Sequence, residues 1–352
     1  MNKRIYISKV SRILIIKWSA LGDVAMATSV LEDVVQALPN AKIDLNVMPA
    51  YAELFKEDGR FSEIFSFDLR KKDRGIIGIL KWLKKVKKNK YDIVLDFQGV
   101  DRSRLLLMLW RLTSIKVPLF VGYSPIFPYK LTPQKINRKP RGVENLRRMV
   151  ETIGIVTNKQ HPVIKYTEQR DAKVRDILIK NNIPVDNYII LVPGSQADGY
   201  LKRWGFTNYS ELSKSLYHKY GLKSVLVGGP DDIDECEKTY NLSKASSINL
   251  CGTTEILDLV PLAKMSKIII ANDTGPGHIM AAANKPMITI CGPTDPVRVK
   301  PLGAKVKTMQ AEVECKNCYL RTCKNDHICM KSLTVDQVVR EVFIILDNSA
   351  RL

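Results

Sequence analysis

Residues 267–290 read Lys-Ile-Ile-Ile-Ala-Asn-Asp-Thr-Gly-Pro-Gly-His-Ile-Met-Ala-Ala-Ala-Asn-Lys-Pro-Met-Ile-Thr-Ile. The apolar run at 267–271 is typical of a buried strand, and residues 286–290 form a second such run. Small residues in a helical pattern lie between them. A strand, a Gly-containing turn, a helix and a strand make one βαβ unit, which predicts an α/β fold with a parallel sheet.

The turn of this unit, residues 272–278, lies at the carboxyl end of its strand and opens the helix. Unpartnered backbone N–H groups and the positive helix end favour an anion there, typically a phosphate. Asp273 and Thr274 can cap the helix, while Gly275 and Gly277 let a ligand approach the backbone. His278 either contacts the anion or holds the turn. The alternative is a capped connection that binds nothing.

The composition indicates a globular protein of about two domains, with 352 residues, 45% hydrophobic and 26% charged. The apolar runs are shorter than the ~20 residues of a membrane span, and no long apolar segment with a cleavage site follows the N-terminus. We therefore expect a cytoplasmic protein whose seven cysteines are mostly reduced thiols.

The positive charge is concentrated in the first part of the chain. Residues 1–150 carry a net charge of +15, which leaves +4 of the total of +19 for residues 151–352. An anionic membrane surface, a phosphorylated substrate or nucleic acid would suit such a domain, and a generic basic surface is the alternative. Because no recognition module for nucleic acid is present, we do not expect a nucleic-acid partner.

The first half repeats the strand–turn–helix pattern, with a strand at 12–17, a turn at 18–23 and a helix at 24–38. The full G-x-G-x-x-G spacing of a dinucleotide site is absent. Asp23 is a lone carboxylate where the helix begins, at the edge of the sheet where ligands bind. It is either a catalytic base or a charge that stabilises the helix N-terminus.

A lysine-rich helix is predicted over residues 75–90. Its basic side is either a solvated face or a pad for anionic lipid headgroups. Apolar residues at helical spacing predict its buried side, namely Ile76, Ile79, Leu80, Leu83 and Val86.

The second half is also doubly wound, and its polar turns can converge on one edge of one sheet. These turns are residues 194–202, 228–231, 252–254 and 273–278. The first contains Lys202, which suits a diphosphate, although the spacing is not that of a P-loop. A surface loop anchored by Trp204 is the alternative. We place the domains at residues 1–155 and 156–332, followed by a helix at 333–352 that can pack back on the first domain.

Five stretches, in order along nearly the whole chain, resemble glycosyltransferase family 9, the ADP-heptose:lipopolysaccharide heptosyltransferases. They are I-I-K-W-S-A-L-G-D at 15–23, D-F-Q-G at 96–99, the turn at 193–204, N-D-T-G-P-G-H at 272–278 and G-P-T-D-P at 292–296. The fourth stretch, followed closely by the fifth, is the most specific signal.

The resemblance implies the GT-B architecture, in which two Rossmann-like doubly wound domains face each other across a cleft. The N-terminal domain would bind the acceptor and the C-terminal domain the nucleotide-sugar. By resemblance Asp23 is the catalytic base, and Lys202 assists departure of the diphosphate. The donor-binding residues are then Ser195, Lys202, Asp231, Thr254, Asp273, Thr274, Gly275 and His278. We expect acceptor contacts from Gln98, Arg102 and Arg104.

The implied activity is inverting transfer of a heptose from ADP-heptose to the inner core (Kdo or heptose) of lipopolysaccharide. The implied partners are a phosphorylated lipid A–core acceptor and the anionic surface of the inner membrane. No cofactor is expected. One alternative is a GT-B transferase for another nucleotide-sugar or acceptor, and a related epimerase is less favoured. The other alternative is a non-catalytic nucleotide-sugar-binding protein.

Four cysteines and a histidine cluster near the C-terminus: Cys315, Cys318, Cys323, His327 and Cys329. Thiolates and an imidazole can hold zinc tetrahedrally, but the spacing is not that of two CxxC knuckles. Reduced structural thiols are the favoured interpretation. Structural zinc and a disulfide or redox pair are the alternatives.

Overall fold

The computed structural model describes residues 9–68, 71–137 and 141–350, and the chain divides into two compact units, residues 1–165 and 166–352. Each unit is built on a parallel sheet with helices between its strands. The predicted α/β class with two doubly wound domains is therefore confirmed.

The sheet of the first unit has the order β3-β2-β1-β4-β5, and every pair is parallel. The chain starts in the centre, moves to one edge and then crosses to the other side of β1, so the switch point lies between β1 and β4. The strands are β1 Arg12–Ile16, β2 Lys42–Val47, β3 Glu63–Ser66, β4 Ile93–Asp96 and β5 Leu119–Val121. The helices are α1 Leu21–Ala37, α2 Pro49–Ala52, α3 Ile76–Lys88, α4 Asp101–Leu112 and α5 Gly142–Glu151.

The sheet of the second unit has the order β11-β10-β9-β6-β7-β8, again all parallel, with its switch point between β6 and β9. The strands are β6 Tyr188–Val192, β7 Lys223–Leu226, β8 Ser247–Asn249, β9 Ile268–Asn272, β10 Met287–Ile290 and β11 Val306–Met309. The helices are α6 Glu168–Lys180, α7 Phe206–Tyr220, α8 Ile233–Ser243, α9 Leu259–Lys264, α10 Gly275–Met280, α11 Pro296–Val299, α12 Ile328–Lys331 and α13 Val335–Ala350.

The boundary between the units lies ten residues after the predicted one. Residues 156–165 belong to the first unit because they hydrogen-bond to its buried helix α1. The Asn158 amide donates to the Asp33 carboxylate at 3.2 Å, and the Val163 amide donates to the Thr28 hydroxyl at 2.9 Å. At the other end of the chain α13 packs on α7, and Val338 is fully buried in the core of the second unit.

Helix α3 differs from the prediction in the side that it buries. Trp82, Leu83 and Val86 are buried against the sheet. The Trp82 indole N–H donates to the side-chain carbonyl of Asn46 on β2 at 2.9 Å. Ile76 and Leu80, predicted as part of the buried side, are instead 76% and 59% exposed. The apolar stripe therefore extends beyond the part of the helix that the sheet covers.

Candidate active site

One fully buried side chain, Asn272 at the end of β9, joins the two turns at the switch point of the second sheet. Its amide N–H group donates to the carbonyls of Pro193 and Gly194 at 2.7 and 3.1 Å. Its carbonyl oxygen accepts from the Trp204 amide at 3.2 Å and the Tyr209 hydroxyl at 3.1 Å. Asn272 thus fixes both ends of the 193–204 loop to the strand that precedes Asp273.

Lys202 and Asp273 meet at this switch point. The Lys202 ammonium lies 2.8 Å from an oxygen of the Asp273 carboxylate, and the His278 ring lies 3.7 Å from the other oxygen. Asp273 and His278 are buried, whereas the Lys202 side chain is 31% exposed and presents its charge to solvent. Burial alone would raise the pKa of Asp273, but His278 and Lys202 outweigh it and hold that pKa below its ordinary value.

The remainder of the 193–204 loop is held by Arg203. Its guanidinium donates to the backbone carbonyl of Ser195 at 2.9 Å and to that of Asp231 at 3.3 Å, which bridges the turns after β6 and β7. The buried Ser195 hydroxyl donates to the Gly199 carbonyl at 2.8 Å. Ser195 and Asp231 are therefore placed side by side on the same edge as Lys202.

We call the carboxyl edge of the second sheet, with the turns that follow its strands, the rim. The rim continues to the turn after β8, which carries the half-buried Thr254. The Gly252 amide donates to the Gly228 carbonyl at 3.2 Å and links the turns after β7 and β8. Between the turns after β6 and β7 lies the Asp232 carboxylate, and a β-carbon added at Gly194 would lie only 2.1 Å from its oxygen. The four polar turns thus meet at one edge, as the sequence predicted.

Two details of the 272–278 turn differ from the prediction. Neither Asp273 nor Thr274 caps α10, since Thr274 is the N-cap residue without a side-chain hydrogen bond and Asp273 binds Lys202 instead. Gly277 does not face a ligand. A β-carbon there would lie 3.1 Å from the Met287 methyl group and 3.4 Å from the Ala271 side chain, so Gly277 allows α10 to approach the sheet.

In the first unit the switch point carries a pocket of about 200 Å³ lined by both Lys17 and Asp23. Asp23 lies in the first turn of α1 and is exposed, and its carboxylate accepts weakly from the Ala20 amide at 3.4 Å. Lys17 is buried below it and donates to the Ser19 carbonyl at 2.9 Å. Burial lowers the pKa of Lys17, while the Asp23 and Asp96 carboxylates favour its charged form.

The D-F-Q-G turn after β4 borders this pocket. Asp96 is fully buried and accepts from the Gly99 amide and from the hydroxyls of Ser103 and Tyr129 at 2.6–2.9 Å, so it holds the turn. Burial raises its pKa in spite of these bonds. The Gln98 side-chain carbonyl accepts from the backbone amides of residues 18 and 19, which fixes the turn before Asp23.

A second, more apolar pocket of about 310 Å³ shares Gln98 with the first. Its lining combines Trp18, Met48 and Phe67 with the exposed Arg102. Arg104 lies on the next part of α4 and pairs with Asp101 at 2.7 Å, so it is not among the lining residues. The structure thus places Gln98 and Arg102 beside the Asp23 pocket and leaves Arg104 on the helix surface.

The cysteine segment packs beneath the second-unit loops. Cys315, Cys318, Cys323 and Cys329 are free thiols, and within the described ranges no group of three or more His, Cys, Asp or Glu side chains is arranged to hold a metal ion. The His327 ring contacts the Leu201 carbonyl at 2.5 Å, next to Lys202. A β-carbon at Gly292 would lie 3.1 Å from the Cys329 sulfur. The segment therefore supports the 193–204 loop and the G-P-T-D-P turn.

Comparison with known proteins identifies the family of the chain. The profile of glycosyltransferase family 9 (heptosyltransferase) matches residues 79–329. The chain belongs to glycosyltransferase family 9. It is 25% identical over 290 residues to lipopolysaccharide heptosyltransferase 3 of Escherichia coli K12, and this alignment covers 80% of this chain and 82% of that protein. It is 24% identical over 210 residues to lipooligosaccharide heptosyltransferase 2 of Campylobacter jejuni, and this alignment covers 54% of this chain but only 66% of that protein.

Two solved structures share the fold of this family 9 enzyme. The family 9 glycosyltransferase of Veillonella parvula DSM 2008 has a TM-score of 0.82 at 19% identity and covers 96% of this chain and 98% of its own. The E. coli heptosyltransferase WaaC with ADP-2-deoxy-2-fluoro heptose has a TM-score of 0.69 at 21% identity, covering 94% and 98%. The predicted family and the glycosyltransferase class are confirmed.

Sequence reasoning missed three residues that shape the candidate site. Asn272 and Arg203 hold the 193–204 loop, and Lys17 lies under Asp23. Asn272 and Lys17 occur within the motifs at 272–278 and 15–23, but each sits at a strand end, where a polar residue is commonly read as the start of a turn. Arg203 follows Lys202 directly, and nothing local distinguishes the two cations.

Proposed function

We propose that this enzyme transfers a heptose from ADP-heptose to the inner core (Kdo or heptose) of lipopolysaccharide, with inversion at the anomeric carbon. The observation that carries the proposal is the half-exposed Lys202 ammonium fixed 2.8 Å from the buried Asp273, at the switch point where open α/β sheets bind ligands. Relatives of this chain are named lipopolysaccharide heptosyltransferases, and a protein of the same fold has been solved with an ADP-heptose analogue.

The donor site would use the rim of the second unit. Lys202 neutralises the diphosphate, and Asp273 with His278 fixes the position of the ammonium. Ser195, Asp231 and Thr254 lie along the same rim for the nucleoside and sugar, and Thr274 and Gly275 offer backbone N–H groups at the start of α10. We propose that His278, on α10 beside Asp273, also contacts the diphosphate.

The chemical step is a single displacement. Asp23 takes the proton from an acceptor hydroxyl while that oxygen forms a bond to the anomeric carbon. The bond between the anomeric carbon and the diphosphate oxygen breaks, and ADP leaves with the electron pair. Lys202 stabilises the charge that develops on the leaving group. These groups supply the charge that the leaving diphosphate needs, and we propose that no cofactor is required.

The acceptor is a phosphorylated lipid A–core molecule. The excess positive charge of residues 1–150, +15, would attract its phosphates, with Gln98 and Arg102 beside the Asp23 pocket and Arg104 farther along the surface of α4. Such an acceptor places the enzyme at the cytoplasmic surface of the inner membrane. We propose that its contact with the membrane is peripheral. No helix in the described ranges is long and apolar enough to cross a bilayer.

A calorimetric screen of nucleotide-sugars tests the proposal. ADP-heptose should bind at least tenfold more tightly than UDP- or GDP-sugars, and Lys202→Ala should weaken that binding because the diphosphate loses its cation. A preference for a UDP- or GDP-sugar would show a transferase for another donor. Tight binding of ADP-heptose without transfer to any inner-core acceptor would show a binding protein.

A further inference from the structure

The exposed surface of α3 and α4 combines apolar side chains with lysines. At the N-terminal end of α3, Ile76, Ile77 and Leu80 are 76%, 70% and 59% exposed. On α4, Leu105 and Leu112 are 43% and 69% exposed. Isolated exposed apolar residues are ordinary, but a group of them on two contacting helices marks an interaction surface.

The two helices form one surface. They pack against each other, and the Lys87 ammonium at the end of α3 donates to the carbonyl and hydroxyl oxygens of Thr113 at 2.9 and 2.8 Å, just after α4. Ile115, beyond this bridge, is fully exposed. We call the exposed side chains of residues 76–88 and 105–116 the α3–α4 face.

Positive charge follows the apolar residues on this face. Lys81, Lys84 and Lys88 lie on the same side of α3 as Ile77 and are exposed. In the described part of the chain none of these three lysines has a carboxylate within ion-pair distance. Long lysine stems can lie along an apolar surface while the ammonium groups remain in water or on headgroups.

We propose that the α3–α4 face docks on an anionic phospholipid bilayer, with Ile76, Ile77 and Leu80 inserted among the lipids and Lys81, Lys84 and Lys88 on the headgroups. Apolar and basic residues on one helix surface are the pattern of helices that lie in the membrane interface. Charge complementarity favours this occupant, because an anionic surface satisfies a row of lysines that the protein leaves unpaired.

The position of the α3–α4 face in the fold would also bring the acceptor site to the bilayer, which rests on the proposed function. Helices of a parallel sheet begin at the carboxyl edge of the strands, so the N-terminal end of α3 lies at the edge that carries Asp23 and the Arg102 pocket. Insertion at that end would bring the acceptor site to the bilayer surface where a lipid-anchored acceptor resides.

The test is flotation of the purified full-length protein with vesicles of phosphatidylethanolamine and phosphatidylglycerol, compared with vesicles of phosphatidylcholine. Binding should require phosphatidylglycerol and weaken with salt. The apolar variant Ile76→Ser/Ile77→Ser/Leu80→Ser should reduce binding at least about tenfold. The basic variant Lys81→Gln/Lys84→Gln/Lys88→Gln should reduce it about a hundredfold at low salt, since each lysine contributes a factor of about five.

Matched controls come from exposed residues of the second unit. Ile179→Ser/Leu242→Ser removes apolar side chains that are 69% and 47% exposed, and Lys180→Gln/Lys244→Gln removes exposed lysines. Both controls should float as the wild type does. All variants change only exposed side chains, so their urea midpoints should agree within error.

Any one of four outcomes would overturn the inference. The wild type does not bind the anionic vesicles, the face variants bind as the wild type does, or the controls lose binding equally. A change in the sedimentation coefficient of the apolar variant without lipid would also overturn it, because the face would then join copies of the chain. Vesicle binding without ADP-heptose binding would leave this inference standing and refute the proposed function.

Discussion

Replacement of Asn272 by alanine should detach the 193–204 loop from the sheet. The side chain is fully buried and makes four hydrogen bonds, to Pro193, Gly194, Trp204 and Tyr209. Each bond is worth about 1 kcal/mol net, so Asn272→Ala should lower the free energy of unfolding by about 4 kcal/mol. A typical domain is stable by 5–15 kcal/mol, which leaves the variant folded.

The loss of donor affinity distinguishes a positioning role from general destabilisation. The free loop would no longer hold Lys202 against Asp273, so ADP-heptose should bind at least about tenfold more weakly, because ordering the loop becomes part of the cost of binding. Leu216→Ala is the matched control, since Leu216 is fully buried on α7, outside the 193–204 loop, and its truncation costs about 2–5 kcal/mol.

Urea denaturation gives the stability of both variants, and titration calorimetry gives their affinity for ADP-heptose. Asn272→Ala should lose stability and affinity, whereas Leu216→Ala should lose stability alone. Wild-type affinity in Asn272→Ala would contradict the positioning role of Asn272, as would an equal loss of affinity in both variants.

Lys202→Met should raise the dissociation constant for ADP-heptose at least about tenfold, and an unchanged constant would remove Lys202 from the donor site. The low pKa of Asp273 contributes stability that is present above its unfolded value of about 3.9 and is lost as the pH falls through its folded pKa. Without the Lys202 cation that folded pKa rises toward the unfolded value, so the urea midpoint of Lys202→Met should fall less than that of the wild type as the pH drops below about 4; identical pH profiles would contradict this coupling.

The strand–turn–helix units could be read from the sequence because both of their signals are local. Buried parallel strands appear as β-branched runs, and polar turns follow them directly, as at 267–278. The strand predicted at 12–17 is β1, Arg12–Ile16, and the helix predicted at 75–90 is α3, Ile76–Lys88. Strand β11 was missed because it is a four-residue edge strand with half of its residues polar, too short for a periodicity signal.

The remaining features depend on contacts between distant parts of the chain. Asn272 binds carbonyls 78 and 79 residues away, which no local pattern contains. The same limit explains the error on α3. Periodicity identifies an apolar stripe, but the length of the stripe that the sheet covers depends on where β4 and α4 end. Ile76 and Leu80 lie beyond that cover.

In the proposed mechanism, Asp23 is the base for transfer of heptose from ADP-heptose to an inner-core acceptor. The most direct test is mass spectrometry of a Kdo–lipid A acceptor incubated with ADP-heptose and either the wild type or Asp23→Asn. The wild type should add one heptose. Asp23→Asn should do so at least about a hundredfold more slowly, with unchanged affinity for ADP-heptose, because only the general base is lost. Transfer by Asp23→Asn at the wild-type rate would contradict the role of Asp23, and failure of the wild type to transfer heptose would contradict the activity itself.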